Sequence, residues 1–183
     1  MDVEGSRQLL YSYVKNEGLR RHCIAVAAIM RALAPKMGGE PDAWEMIGIL
    51  HDIDYELVNG DMQRHGEEGS RIIRSYGLDE KIAGAVRRHN DLLSGGQSEE
   101  AVDVALQASD NISGLVIAAA AVKGGRISEV SESTLRKKFK EKKFAAGCRR
   151  EKIREISSLM ELPEFFSLAL FAIKERKEDL GLE

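Results

Sequence analysis

Six side chains carry the chemistry this sequence can do: His22, His51, Asp52, His65, His89 and Asp110. The chain has four histidines in all. Each falls on, or at the end of, the apolar stripe of a helix that the residue spacing predicts. In Gly48-Ile49-Leu50-His51-Asp52-Ile53-Asp54-Tyr55-Glu56, an apolar run leads into an adjacent imidazole and carboxylate. Groups of that kind are costly to bury unless something pairs with them, and a divalent cation is one such partner. A single inward histidine is ordinarily a hydrogen-bonded core residue. An inward aspartate is rarer, because an unpaired buried carboxylate is strongly disfavoured. All four histidines with Asp110, on successive helices, point instead to convergence at the centre of one bundle.

The elements that would position them are helices. His22 shares a stripe with Val26, Ile29 and Leu33 on a helix over 19–34, stopped by Pro35 and Gly38-Gly39. Pro41 and Asp42 open the next, where Trp44, Ile47 and His51 align. Residues 53–61 break the pattern and end in the turn signal Asn59-Gly60-Asp61. A helix over 65–76 carries His65, Gly69 and Ile72 on one face, and small Gly69 allows close approach of another element. Asp79 caps a helix reaching Asn90, with Ile82, Val86 and His89 in line. Ser98, Glu99 and Glu100 open the longest helix, to about residue 122, with Val102, Leu106, Asp110 and Ile117 together. A first short helix over 6–14 precedes these, and helices over 131–143, 149–160 and 162–180 follow. No run alternates with period two, so the expectation is all-α.

The 183 residues fit a single domain with a sizeable core. Hydrophobic residues at 43% and charged residues at 31% exclude a disordered chain. The longest weakly polar stretch, 112–122, is too short to cross a bilayer. No basic-then-apolar leader stands at the N-terminus, and two cysteines make no disulfide framework. A cytoplasmic protein without membrane contact is expected. Net charge is −3, yet residues 136–154 carry ten Lys/Arg against two Glu, leaving the rest strongly acidic. That segment reads first as a solvated helical face, second as a wall gathering an anionic substrate, third as a nucleic-acid contact. The acidic remainder and a pI near 5.9 make nucleic acid an unlikely partner. Glycine pairs lack the strand and Lys-Ser/Thr of phosphate loops.

The ordered set His22, His51-Asp52, Asp110 resembles the HD-domain phosphohydrolase superfamily over about residues 19–122. His65 in Arg64-His65-Gly66-Glu67-Glu68-Gly69 and His89 in Val86-Arg87-Arg88-His89-Asn90 match the two extra histidines of its binuclear-metal branches. The run His-Asp-hydrophobe-Asp-Tyr-Glu, with Lys137-Lys138-Phe139-Lys140 and Phe144-Ala145-Ala146-Gly147, is similar to small uncharacterised HD proteins. The resemblance implies a helical bundle over 19–122 with a helical extension over 123–183. It implies one metal site from His22, His51, Asp52 and Asp110, and a second from His65 and His89 with Asp52 bridging. Imidazole and carboxylate without thiolate suit two divalent ions of Fe, Mn, Co, Ni or Zn, with Mg possible.

The activity implied is hydrolysis of a phosphoester or phosphoanhydride by metal-activated water. The expected substrate is a small phosphorylated metabolite, a nucleotide or dinucleoside polyphosphate. Asp54 and Glu68 are candidates for handling protons, alongside Asp52. Arg87, Arg88 and Lys123 are candidates for meeting phosphate. Asp54 departs from the family, where a phosphate-meeting lysine often follows the doublet. The competing readings are a non-catalytic metal or nucleotide sensor on the same scaffold, and a structural bundle with satisfied core histidines. Oligomeric state is left open by the sequence.

Overall fold

The computed structural model describes residues 1–96 and 100–183. Ten α-helices and three 3-10 turns make up its regular structure, with no strand among the described residues. The order is α1 (Val3–Tyr13), α2 (Glu17–Leu33), α3 (Pro41–Leu50), α4 (Glu67–Ser75), α5 (Glu80–Arg88), α6 (Asp91–Ser94), α7 (Ala101–Ala121), α8 (Glu132–Lys140), α9 (Arg150–Glu155) and α10 (Leu162–Glu175). The chain is all-α, as its composition requires.

At the centre lies α2. The Asn16 side chain accepts from the Leu19 amide to start it, and Glu17 sits favourably in the first turn. The sequence suggests one inward stripe. In the structure every residue from Cys23 to Met30 is buried, because α3, α7 and α10 enclose the helix on several sides. Ala25, Ala27 and Ala28 make that enclosure possible by letting neighbours approach.

The tightest approach is to α3. A Cβ on Gly48 would lie 2.5 Å from the Ala27 Cα and 2.7 Å from its amide nitrogen. Both obstacles are backbone, so no side-chain rotation relieves them. This crossing places His51, one residue past α3, beside His22 of α2, with ring centroids 5.2 Å apart. Gly48→Ala should therefore force the two helices apart and destabilise the fold by about 1–3 kcal/mol, as overpacking does. A thermal melt reads the change, and an unaltered melting temperature would contradict this account of the crossing.

The segment after α3 runs through turns from His51 to Gly66. Asn59 and Gly60 take positive φ (52° and 72°), as the turn signal predicts. Helix α4 starts later than expected, at Glu67 rather than His65. Gly66 intervenes at φ 83°, where a Cβ would sit 3.2 Å from the carbonyl oxygens of Val86 and Arg87. His65 is thus released from helical geometry while α4 still packs on α5. Asp79 caps α5 as anticipated, through the Lys81 amide. The four-residue α6 is absent from the sequence reading.

Glu100 and Asp103 form the capping box of α7. The expected starts at Ser98 and Glu99 lie outside the described residues. By length and composition α7 could cross a bilayer, but 67% of its apolar window is buried inside the bundle, where it serves as a core helix. Helices α8, α9 and α10 pack on α7, and α10 also covers α2. The turn between α8 and α9 is held by Arg150, whose guanidinium donates to the carbonyls of Phe144, Ala145 (2.6 Å) and Cys148 (2.7 Å).

Candidate metal centre

The end of α3, the Gly66 turn, the end of α5, and the middles of α2 and α7 meet at one cleft. His22 Nε2 stands 3.0 Å from Asp110 Oδ1 and 3.8 Å from Asp52 Oδ2. His51 Nε2 is 3.4 Å from Asp52 Oδ2 and 3.9 Å from Asp110 Oδ1. The other oxygen of Asp52, Oδ1, is 3.3 Å from His65 Nε2 and 3.5 Å from His89 Nε2. Those two nitrogens are 3.0 Å apart. Ligand atoms around an ion bound at about 2.0–2.2 Å stand roughly 3–3.5 Å from one another. Both groups come close to that spacing, and Asp52 belongs to each, with one oxygen toward either set.

The far side of every ring is engaged. His51 Nδ1 donates to the Gly48 carbonyl at 2.8 Å, and His89 Nδ1 donates to the Val86 carbonyl. His65 Nδ1 donates to Asp54 Oδ1 at 2.8 Å. His22 Nδ1 faces Ser113 Oγ at 3.4 Å, and that hydroxyl donates to the Asp110 carbonyl at 2.7 Å. With Nδ1 carrying the proton, each Nε2 turns a lone pair toward the cleft. His51 Nε2 is buried with no hydrogen-bond partner. Between His65 and His89 two lone pairs face one another, an arrangement that calls for a proton or a cation. The donor set therefore fits divalent ions, and its lack of sulfur fits the harder and intermediate metals.

Charge in the apo cluster follows the same logic. Burial alone would lower the pKa of His51, but the carboxylates of Asp52 and Asp110 raise it to about 9. His65, likewise opposed by burial, is raised to about 9 by Asp52 and Asp54. Burial would raise Asp52, yet His51, His65 and His89 hold it well below the usual carboxylate range. Without a metal, protons take the place of cations.

Asp54, a candidate for handling protons, does not line the cleft. It is fully buried behind His65, and its second oxygen accepts from the amides of Gly66 (2.8 Å) and Gly69 (2.7 Å). The close approach expected at Gly69 is used here, since a Cβ would stand 3.3 Å from the Asp54 carboxylate. Asp54 orients a ring, and it cannot reach a substrate. Glu68 lies outside the cleft and pairs with Arg71 at 3.2 Å and Arg64 at 3.6 Å. Arg87 pairs with Glu67 at 2.6 Å, and Arg88 bonds Asp103 and Glu100. Lys123 sits in the exposed turn after α7. None of these four lines the cleft: Glu68 faces arginines, Arg87 and Arg88 face acids, and Lys123 is exposed in its turn.

Several residues of the site give no motif signal. The Asn90 amide donates to the Met62 carbonyl (2.6 Å) and the His65 carbonyl (2.8 Å), stapling the Gly66 turn to the end of α5. Asn111 Oδ1 accepts from the Arg149 amide at 2.8 Å, and Gln107 Oε1 accepts from its guanidinium at 3.0 Å. The cleft, about 570 Å³, is lined by Asp52, His65, His89 and Asp110, with Tyr55, Met62 and Leu92 among its other walls.

A family model described as HD domain matches residues 19–121. An uncharacterised protein of Methanocaldococcus jannaschii is 36% identical over 107 residues, covering 54% of this chain and 61% of that protein. Ribonuclease Y of Fusobacterium nucleatum is 27% identical over 106 residues, or 58% of this chain and 20% of the relative. Ribonuclease Y of Opitutus terrae is 28% identical over 88 residues, or 48% and 16%. The chain spans less than two thirds of the first of these relatives and about a fifth or less of the other two. No solved structure matches.

Proposed function

The chain belongs to the HD-domain family, and on this footing we propose that it is a metal-dependent phosphohydrolase. It cleaves a phosphoester or phosphoanhydride of a small phosphorylated metabolite, a nucleotide or dinucleoside polyphosphate. The observation that carries the reading is Asp52, whose two oxygens face two separate histidine sets while His51 Nε2 beside it has no hydrogen-bond partner. His22, His51, Asp52 and Asp110 would hold one ion, and Asp52, His65 and His89 a second.

Divalent ions in such a pair supply Lewis acidity toward a phosphoryl oxygen and acidify water for attack on phosphorus. The chain's own contribution is positioning. Gly48, Val86, Asp54 and Ser113 each fix the tautomer and tilt of one imidazole. Asn90 holds the two halves of the second histidine pair in register. Tyr55, Met62 and Leu92 give an apolar wall for the non-reacting part of a substrate.

The similarity to ribonuclease Y favours RNA as a second substrate reading. Two features support the small molecule over a polymer. A cleft of about 570 Å³ suits a ligand of nucleotide size. Three of the ten cations in the basic segment are also held within the fold, although the other seven are exposed: Lys138 pairs with Glu141, Arg150 donates to carbonyls, and Lys152 is buried against Asp91, which interrupts the track a phosphate backbone would follow.

The test loads the purified protein with Mn, Fe, Co, Ni, Zn or Mg. Each form is assayed on aryl phosphates, nucleotides, dinucleoside polyphosphates and a short RNA. Turnover of a small phosphoester with at least one metal is expected, and a chelator or His51→Ala should abolish it. Nucleotide binding without turnover in any metal form would replace the enzyme by a sensor. Preferred cleavage of the RNA would establish the second reading.

A further inference from the structure

Residues 122–183 lie beyond the family match, and part of the basic segment there reaches the cleft. Arg149 is the one Arg or Lys among the described residues lining it. Its position is built from α7. The Arg149 amide donates to Asn111, the residue after Asp110, and its guanidinium donates to Gln107, one turn earlier. A further donor goes to Asp91, which also receives Lys152 at 3.2 Å. Gly114 leaves room for the Cys148 thiol on α7, since a Cβ there would fall 2.8 Å from Cys148 Sγ. The Arg149 side chain is 42% exposed despite these contacts. Asp91 and Gln107 occupy only part of its donor fork, which matches an oxyanion bidentately.

We propose that Arg149 binds a second phosphate of the substrate, so that the preferred substrates carry a phosphate besides the phosphoryl group under attack. This rests on the reading of the cleft as a phosphohydrolase site. The same cleft is lined by Asp52, His65, His89 and Asp110 and by Arg149, and Asp110 and Asn111 tie the two to one stretch of α7. A monophosphate engages the cluster alone, whereas a diphosphate or bisphosphate engages the cluster and Arg149 together. Sequence pattern gave the phosphate contact to Arg87, Arg88 and Lys123. The structure assigns it to a residue of the basic segment, two positions past Phe144-Ala145-Ala146-Gly147.

The experiment compares adenosine 5′-monophosphate with adenosine 5′-diphosphate and adenosine 3′,5′-bisphosphate on the metal-loaded full chain. It measures kcat/KM and, independently of turnover, calorimetric Kd. Wild type should favour at least one of the two-phosphate compounds by about 10- to 100-fold, the range for a charge-assisted contact. Arg149→Ala should bring that ratio close to one, mainly through KM and Kd. Arg149→Lys, which keeps the charge and its Asp91 pairing, should retain part of it and serves if the alanine variant is unstable. A wild-type ratio near one, with phosphoester turnover intact, overturns the role of Arg149 and leaves the hydrolase reading standing. The same holds if Arg149→Ala keeps the ratio and a normal melt. Neither turnover nor binding of any compound overturns both.

Discussion

Asp52→Ala should empty both halves of the centre at once. Wild-type protein equilibrated with Mn(II) and freed of excess metal is expected to carry two ions per chain, and the alanine variant none. His22→Ala and His89→Ala should each lose one. The asymmetry follows from geometry, since Oδ2 of Asp52 serves the His22 and His51 side and Oδ1 the His65 and His89 side. Removing a partner one shell out from a metal typically costs about 10- to 100-fold in affinity or activity, so loss of the shared carboxylate should exceed about 100-fold. Metal analysis and steady-state kinetics read the two effects separately. Asp52→Ala with undiminished metal content would sink the shared-ligand assignment, as would a His89→Ala variant that lost both ions. Circular dichroism guards the result, because the carboxylate also holds three buried rings together in the apo protein.

The histidine and aspartate cluster was legible because it obeys helix periodicity. His22, His51, His89 and Asp110 each continue an apolar stripe, and packing of the stripes brings them together. His65 was legible through Arg64-His65-Gly66-Glu67-Glu68-Gly69, but not in its backbone setting. It was placed on a helix, whereas Gly66 takes it off one, and the reason is a tertiary contact with Val86 and Arg87 that no local pattern contains. Asp54 shows the limit from the other side. A carboxylate two residues past a metal-type doublet reads as available chemistry, and only the three donors converging on it reveal that it is spent on orientation. The cations failed for a related reason. Arg87 and Arg88 adjoin His89 in sequence, but helical rotation turns them toward Glu67 and Asp103. Arg149 lies in the basic segment that offered a wall for an anionic substrate, but only its tertiary contacts with Asn111 and Gln107, polar residues that look like the solvated side of α7, single it out from the other cations there.

The fall of stability with rising pH should disappear when metal is added. In the apo protein His51 and His65 titrate near 9, against an ordinary value of 6.5. A group whose pKa is raised on folding stabilises the native state fully below its unfolded pKa. That contribution fades as pH climbs through the folded one. Moving one imidazole from 6.5 to about 9 is worth about 3 kcal/mol, and the pair gives less than twice that because both lean on Asp52. The apo melting temperature should therefore fall steadily between about pH 6.5 and 9. Metal must displace those same protons, so its affinity, and the stabilisation it adds, should grow over the same interval. Thermal melts at matched ionic strength, with and without Mn(II), measure the gap between the two forms. It should be small at pH 6 and widest near pH 9. A gap independent of pH would mean that His51 and His65 are not the groups the metal deprotonates, and a flat apo curve would mean that the carboxylates do not hold their protons. His65→Gln gives an internal control. It removes one of the two titrations while leaving Asp52 and the His22 and His51 half in place, so about half of the apo slope should go with it.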